Sequence, residues 1–529
     1  MWLILLAAFL GLFILYTLKV NRYWKDKGVT YKFIIPPLGD NLDTLVKRIP
    51  FCDIILNIYN RFPNERYTGF YQVSTPILML RDPELIKEIC VKDFEHFLDH
   101  RTFLKEDADP LWNKNLFALK GHKWRDMRAT LSPSFTGSKM RQMFVLVQKC
   151  AEDFVTYFDQ NSSDIIEVEL KDTFTRYTND IIASTAFGIQ CDSLGNPQNE
   201  FYVRGKQTTN FSGFWRNLKF MLVLISPWLG KLFKTRIFDE EVSTFFRRII
   251  RETIDYRKKN NIERPDMINL LMHTKKASMI EEESKNVEES NFAAVEEHLE
   301  AKHPQEIKGD LSLDDMTSQA LIFFFAGFDT VSTAMCFMAY ELAANPDIQQ
   351  RLIEELDDFR AVNKSLTYEG LAKLIYLDMV LSESLRKWPP TLATDRQCVK
   401  PYTIKPENSH ENPIHLTTED SIWVPTYALH HDPRYWKNPE KFDPERFSPE
   451  NKGKIVPYTY LPFGVGPRNC IGSRFALMEV KAVFYGILGR FEIVPIEKSC
   501  IPFKPRKSSF NLVPENGFWF GLKKRKIVN

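Results

Sequence analysis

Between Ser312 and Ala344 the chain is predominantly apolar, and no other stretch constrains the fold as strongly. Ser312-Leu-Asp-Asp315 has the form of a capping box, in which a serine and a carboxylate three residues on exchange hydrogen bonds. Asn345-Pro346 stops the pattern and opens a following helix. The interval predicts one helix of roughly thirty residues, about 45–50 Å long. A helix apolar on nearly all sides must cross an interior. The remaining sequence mostly has helical spacing, with short β signals at Tyr67–Val73 and Tyr458–Leu461. A chain of 529 residues is long enough to wrap a large core around such a helix.

Two local penalties fall at its middle, in Phe323-Phe-Phe-Ala326-Gly327-Phe328-Asp329-Thr330. Gly327 costs about 1 kcal/mol relative to alanine in a helix interior. Asp329 is costly among apolar neighbours unless it is paired or solvated. Adjacent penalties of this kind mark a functional site. They equally suit a glycine packed on a neighbouring helix and an aspartate bridged to a lysine. Both readings stay open on the residues alone.

Cys470 sits in Phe463-Gly-Val-Gly-Pro-Arg-Asn-Cys-Ile-Gly472, with glycines at 464, 466 and 472. Glycine serves where the backbone takes unusual angles or approaches a bound group. The following Ile471–Glu479 reads as a helix start. Unpaired N–H groups and the positive dipole end there favour thiolate over thiol. A loop that holds a thiolate still and admits flat apolar matter is what a heme iron ligand requires. An isolated cysteine is more often an ordinary buried thiol, but these neighbours favour the ligand.

Phe463, Gly466, Arg468, Cys470 and Gly472 match F-x-x-G-x-R-x-C-x-G, and the chain thereby resembles the cytochrome P450 family. Ala326-Gly327-Phe328-Asp329-Thr330 resembles that family's oxygen-binding motif A-G-x-D/E-T. The resemblance implies heme b with Cys470 as iron ligand. It also implies a small Ala326-Gly327 pair beside the heme, Thr330 hydrogen-bonding at the oxygen site, and Asp329 relaying protons from solvent. Glu383-Ser-Leu-Arg386 matches E-x-x-R on one helix face, and with Arg446 it implies a buried structural triad. Trp124 and Arg128, four apart in W-x-x-x-R, are implied to hold a heme propionate, as are Arg396 and Arg468. Arginine suits carboxylates because its rigid fork donates two bonds at once. The implied fold is mainly α with small β-sheets (α+β), a helix-rich heme domain behind an N-terminal membrane anchor. The helix motif and the cysteine loop look most like insect microsomal members, the xenobiotic-metabolising kind in particular.

Trp2–Leu18 is uncharged and strongly apolar, at the short end of the roughly 17–25 residues that span a bilayer. Lys19, Arg22, Lys25 and Lys27 follow, which places the rest of the chain on the cytosolic side. A cleaved signal would carry charge before the apolar run and a small-residue site after it; neither is present. The expected organisation is an anchor at 1–18, a basic linker and proline hinge at 19–39, and the monooxygenase domain at 40–529, in the endoplasmic reticulum membrane. Eight scattered cysteines without a C-x-x-C pair suit reduced thiols rather than zinc or a disulfide framework. The stretch 275–310 is charged and largely acidic and reads as a solvated loop or fraying helix, with a partner-docking segment as the functional alternative.

Seventy basic against 68 acidic residues argue against a nucleic-acid partner. The chain lacks a G-x-G-x-x-G opening a helix, so no nicotinamide domain is expected and electrons must come from another protein. The resemblance implies NADPH-cytochrome P450 reductase, with cytochrome b5 as a second donor. Lys120, Lys123, Arg125 and Arg128 form a basic cluster suited to an acidic flavin domain, or simply a solvated helix face. Phe117, Phe324, Phe328, Leu392 and Phe510 suggest an apolar cavity for lipophilic small molecules. O2-dependent monooxygenation is the leading activity. The alternatives are a peroxide isomerase or dehydratase on the same fold and a non-enzymatic heme-binding membrane protein.

Overall fold

The computed structural model describes residues 1–36, 39–40, 49–102, 109–209, 223, 235–264, 266–272, 311–409, 411–507 and 511–526. The charged stretch 275–310, two residues of the proline hinge and the turn at Ser509-Phe510 lie outside them. The expected central helix forms as Leu313–Ala344, 32 residues long. Its capping box is complete: Asp315 N–H donates to Ser312 Oγ at 3.2 Å and Ser312 N–H donates to the Asp315 carboxylate at 3.0 Å.

That helix passes through two hydrophobic cores. Val331–Ala343 belongs to the larger one and Ala320–Phe328 to the smaller. Their seam falls at Asp329-Thr330, where the sequence breaks its apolar run. Helix Leu170–Ile182 lies alongside, close enough that a Cβ on Gly327 would stand 3.1 Å from Ile182 Cδ1. The glycine is thus packed on a neighbouring helix, as one of the two open readings had it.

Among the described residues, strands β1 (Tyr67–Gln72), β2 (Thr75–Leu80), β3 (Ile165–Glu169), β4 (Thr394–Gln397), β5 (Tyr402–Ile404), β6 (Ile414–Leu416), β7 (Ser421–Val424), β8 (Phe491–Val494) and β9 (Trp519–Lys524) make three small sheets. Their orders are β1-β2-β7-β4, β3-β9-β8 and β5-β6. β2 runs parallel to β7, while β1 and β4 are antiparallel to their neighbours. Tyr67–Gln72 is a strand as expected, but Tyr458–Leu461 is not. Tyr458 has φ 63°, and Leu461 N–H donates to the His430 ring rather than to a neighbouring strand.

The N-terminal helix runs Trp2–Asp26, well past the apolar run. Its last turns, within the stretch expected as a linker, are docked on the β1–β2 hairpin by the fully buried Trp24.

The E-x-x-R pair is buried at 0 % exposure for both residues. Arg386 donates to the two Glu383 oxygens at 2.7 and 2.9 Å, and Arg446 reaches the same carboxylate at 3.3 Å. Breaking such a buried pair costs about 3–5 kcal/mol, because the surviving charge is stranded. His430 and His431 lie beside Arg386. His430 Nε2 accepts from Leu461 N–H at 2.7 Å, so its Nδ1–H donates to Arg386 O at 3.0 Å. Burial, with Arg386 adding repulsion, holds His430 far below the usual histidine range and His431 down to about 3.

A histidine with a depressed folded-state pKa withholds stability as pH falls below its unfolded value near 6.5. Each of the two should cost about 1.4 kcal/mol per pH unit lost below that point. Denaturant titration from pH 8 to pH 5 should show a plateau and then a decline, with a shallower decline in His431→Phe. An unchanged slope in that variant would contradict this assignment.

Candidate functional site

The cysteine loop is closed by its own backbone. Cys470 N–H donates to Phe463 O at 2.8 Å, and Asn469 N–H to Gly466 O at 2.9 Å. Gly464 and Gly466 have φ of 76° and 71°, and a Cβ at Gly466 would collide with the Cys90 carbonyl. Only glycine fits there. The loop straddles the seam, with Phe463 and Val465 on the larger core and Ile471 on the smaller. Gly472 abuts the Phe135 ring, which stacks on Phe323 of the central helix at 5.6 Å.

Cys470 exposes its side chain within this dense surround. Burial pushes its thiol above the ordinary value, while the Gly472 N–H and Arg128 act the other way. The helix-start N–H works in the expected direction, but burial outweighs it. A bound cation is what would make this sulfur a thiolate.

On the central helix, Ala326 is exposed in an otherwise largely buried stretch, and Gly327, Asp329 and Thr330 are half-buried. Thr330 Oγ1 donates to Ala326 O at 2.6 Å. Asp329 is bridged to Lys171 of Leu170–Ile182 at 2.9 Å, and Asn511 Nδ2 lies 3.4 Å from its second oxygen. The lysine-bridged reading of Asp329 is therefore realised at a residue 158 positions away. Lys171 also donates to Asp329 O, Ser332 Oγ and Thr333 Oγ1. Phe324 and Phe328 do not line an open cavity. They stack on each other at 4.9 Å inside a cluster with Phe201 and Phe246, facing away from Ala326 and Thr330.

Three arginines converge beside the loop. Arg396, 1 % exposed, donates to Thr394 Oγ1, Asp395 O and Val465 O. Arg468 donates to Leu98 O and Leu119 O and lies 4.1 Å over the Trp124 ring. Arg128 holds Asn469 through both its backbone and side-chain oxygens. Burial, reinforced by repulsion from Arg396, pushes Arg468 down to about 9. His100 joins them, held by Asp395 at 3.0 Å and kept below its usual range by burial. Asp99 stands 3.5 Å from Arg468. Yet the Nε atoms of Arg128 and Arg396 are buried without a hydrogen-bond partner among the described residues. Buried cationic donors in such excess call for further anionic oxygens.

A sequence model for cytochrome P450 matches residues 55–519. The chain belongs to the cytochrome P450 family. It is 46 % identical to cytochrome P450 9e2 of Blattella germanica, over 96 % of this chain and 94 % of that protein. It is 42 % identical to probable cytochrome P450 9f2 of Drosophila melanogaster, over 98 % of each. Cytochrome P450 6k1 of Blattella germanica is 35 % identical over 97 % and 95 %. Membership makes this chain a monooxygenase of the oxidoreductase class, with heme as its cofactor.

The residues present fit a heme. Its two carboxylates match the orphaned arginine donors, and its iron matches the presented Cys470 sulfur. The loop, Trp124, Arg128, Arg396 and Arg468 are brought together, and Ala326-Gly327 and Thr330 share the same seam. Sequence reasoning missed His100 and Lys171, since neither stands in a motif and both meet the site only in space. The basic cluster is narrower than expected, because Arg128 turns inward and Arg125 pairs with Glu95 at 2.5 Å. Lys120 and Lys123 remain exposed. Nearby, a cavity of about 810 Å³ is lined by His100, Trp112, Phe117 and Met127, with Lys114 and Asp315 also on its wall.

Arg396→Met should act oppositely in two states. Without cofactor, removing a buried cation with an unmade bond should leave thermal stability unchanged or raised. With cofactor, losing a charge-assisted hydrogen bond should weaken heme retention by about 1.5–3 kcal/mol, read as a lower heme-to-protein ratio on dilution.

Proposed function

We propose that this chain is a membrane-anchored heme-thiolate monooxygenase of the endoplasmic reticulum. It inserts one atom of O2 into lipophilic small molecules, xenobiotics among them. Electrons come from NADPH through a separate reductase, with cytochrome b5 as a second donor. The observation that carries this reading is the presented Cys470 at the same core seam as Ala326 and Thr330.

Heme b, bound through Cys470 and through Trp124, Arg128, Arg396 and Arg468, would supply oxygen activation, with the thiolate's electron density favouring O–O cleavage. The protein's own share is mostly positional. The Cys470–Phe463 backbone bond fixes the sulfur, and the arginine forks fix the carboxylates. Releasing one oxygen atom as water takes two protons, and the helix offers a route for them. Asp329 is part-exposed between Lys171 and Asn511 and can exchange protons with solvent. Thr330 follows it in the chain, and its hydroxyl can turn from Ala326 O to donate inward while accepting from behind. Lys120 and Lys123 offer positive charge for an acidic electron donor, as opposite charges steer encounter. Trp112 and Phe117 offer an apolar face to a lipophilic substrate, on a cavity wall that also carries Lys114, Lys120, Lys123 and Asp315. The hydroperoxide isomerase alternative is disfavoured because Thr330 would have no proton to deliver.

The test is reconstitution with NADPH and purified reductase on a panel of lipophilic aryl ethers, comparing wild type with Thr330→Ala. Product should depend on reductase. The variant should keep its heme while product per NADPH falls by about 10²-fold or more, the missing electrons appearing as hydrogen peroxide. Conversion of a lipid hydroperoxide without any electron donor, or unchanged coupling in the variant, would contradict the proposal.

A further inference from the structure

Residues 109–119 carry the aromatic part of the cavity wall on very little regular structure, one helix of four residues at Pro110–Asn113. A segment so short of its own hydrogen-bond ladder must be held by side chains. Two buried ones hold it. Gln319, on the central helix and 0 % exposed, donates from Nε2 to Lys114 O at 2.7 Å and accepts Leu116 N–H on Oε1 at 2.9 Å. Asp109, 2 % exposed, divides its two oxygens between two pieces of chain. Oδ1 accepts Trp112 N–H at 3.0 Å and so caps its own helix. Oδ2 accepts Ile237 N–H at 3.0 Å and Phe238 N–H at 2.9 Å, just ahead of the helix Glu240–Asn260.

The rings complete the connection. Phe238, whose N–H Asp109 holds, sets its ring against Trp112 at 5.7 Å and against Phe325 at 6.0 Å. Trp112 itself meets Phe325 edge-on at 6.0 Å, and Phe325 directly precedes Ala326. On its other side Trp112 meets Phe117 at 5.9 Å, and Phe117 stacks on His100 at 4.3 Å. One row of rings thus runs from the turn that carries Ala326 to the arginine cluster, and Trp112 is its second member. Trp112 has two supports, the short helix beneath it and the Phe238 ring behind it. A single carboxylate fixes both. An amide of the same shape cannot, because it would turn one acceptor oxygen into an NH2 facing an N–H.

We infer that Asp109 is a specificity-determining positioning residue: through Trp112 it sets which carbon of a lipophilic substrate is presented beside Ala326. Asp109 is absent from the cavity wall and acts only through what it holds. Bonds from backbone N–H groups to a carboxylate are stronger than neutral ones, so the wall keeps one shape while it meets different substrates. Orientation against a fixed wall decides which carbon is oxidised, since a displacement of ~1 Å at the reacting atom changes a rate ~10²-fold. This inference rests on the reading of the cavity as the site of lipophilic substrates.

The test uses the full-length heme-loaded chain with reductase and an aryl ether oxidisable at two positions, the O-alkyl carbon and the ring, counted as separate products. Their ratio reports orientation, because a loss of folded enzyme lowers both products equally. Asp109→Ser keeps an N-cap for Pro110–Asn113 but is too short to reach Ile237 and Phe238. Asp109→Asn keeps the size and loses one acceptor. Each should retain its heme and move the ratio by about tenfold, the low end of what one methylene is worth in an apolar pocket. Trp112→Ala should move it at least as far, and adding Asp109→Ser to Trp112→Ala should move it no further. A wild-type ratio in Asp109→Ser would overturn the inference, whatever happens to the rate. So would a shift that adds in full to that of Trp112→Ala, since Asp109 would then act elsewhere. Loss of heme from both Asp109 variants would make the residue a support of the fold and overturn it too. A wild type that oxidises no aryl ether would overturn the lipophilic-substrate reading and take this inference with it.

Discussion

A helix apolar around almost its whole circumference is stable in water only when walled in, and Leu313–Ala344 is walled in by two hydrophobic cores instead of one. Two cores must meet somewhere along it. At that seam the side chains need not be large or apolar, and there the sequence places Ala326, Gly327, Asp329 and Thr330. The cysteine loop approaches the same seam, with Phe463 and Val465 on the larger core, Ile471 on the smaller and Phe135 linking Gly472 to Phe323. Packing thus sets where chemistry can occur before any reactive residue is considered.

Charge is distributed unevenly around that seam. Away from it, Glu383 is matched by Arg386 and Arg446, and this buried pair is self-contained. Beside the loop, Arg128, Arg396 and Arg468 meet mainly carbonyl oxygens, and the Nε atoms of Arg128 and Arg396 meet no acceptor among the described residues. The contrast separates a pair that holds the fold from a cluster suited to receive a ligand. Both contain arginines buried to the same degree, so burial alone does not distinguish them. The supply of matching carboxylates does.

Features set by near neighbours in the chain were legible in the sequence. The capping box at Ser312, the i,i+3 pair Glu383–Arg386 and the glycines of the cysteine loop each carry their geometry in local spacing. Features set by distant partners were not. Nothing local marks Lys171 as the partner of Asp329, or Asp395 as the partner of His100. Helical period showed that Phe324 and Phe328 share a face but not that this face looks away from Thr330. Tyr458–Leu461 has strand composition, yet the His430 ring takes the Leu461 N–H that a strand would need. The N-terminal helix outruns its apolar stretch because Asn21 and Trp24 find partners on the folded body, and no window of local hydropathy contains those partners.

The central claim is that Cys470 sulfur is the iron ligand of this P450, and its most direct test is optical. The reduced, carbon-monoxide-bound difference spectrum of wild type should show a Soret band strongly red-shifted from that of histidine-ligated heme. Cys470→Ser should lose that band while the arginine cluster still retains some heme. A red-shifted band that persists in the variant, or its absence from heme-loaded wild type, would contradict the account.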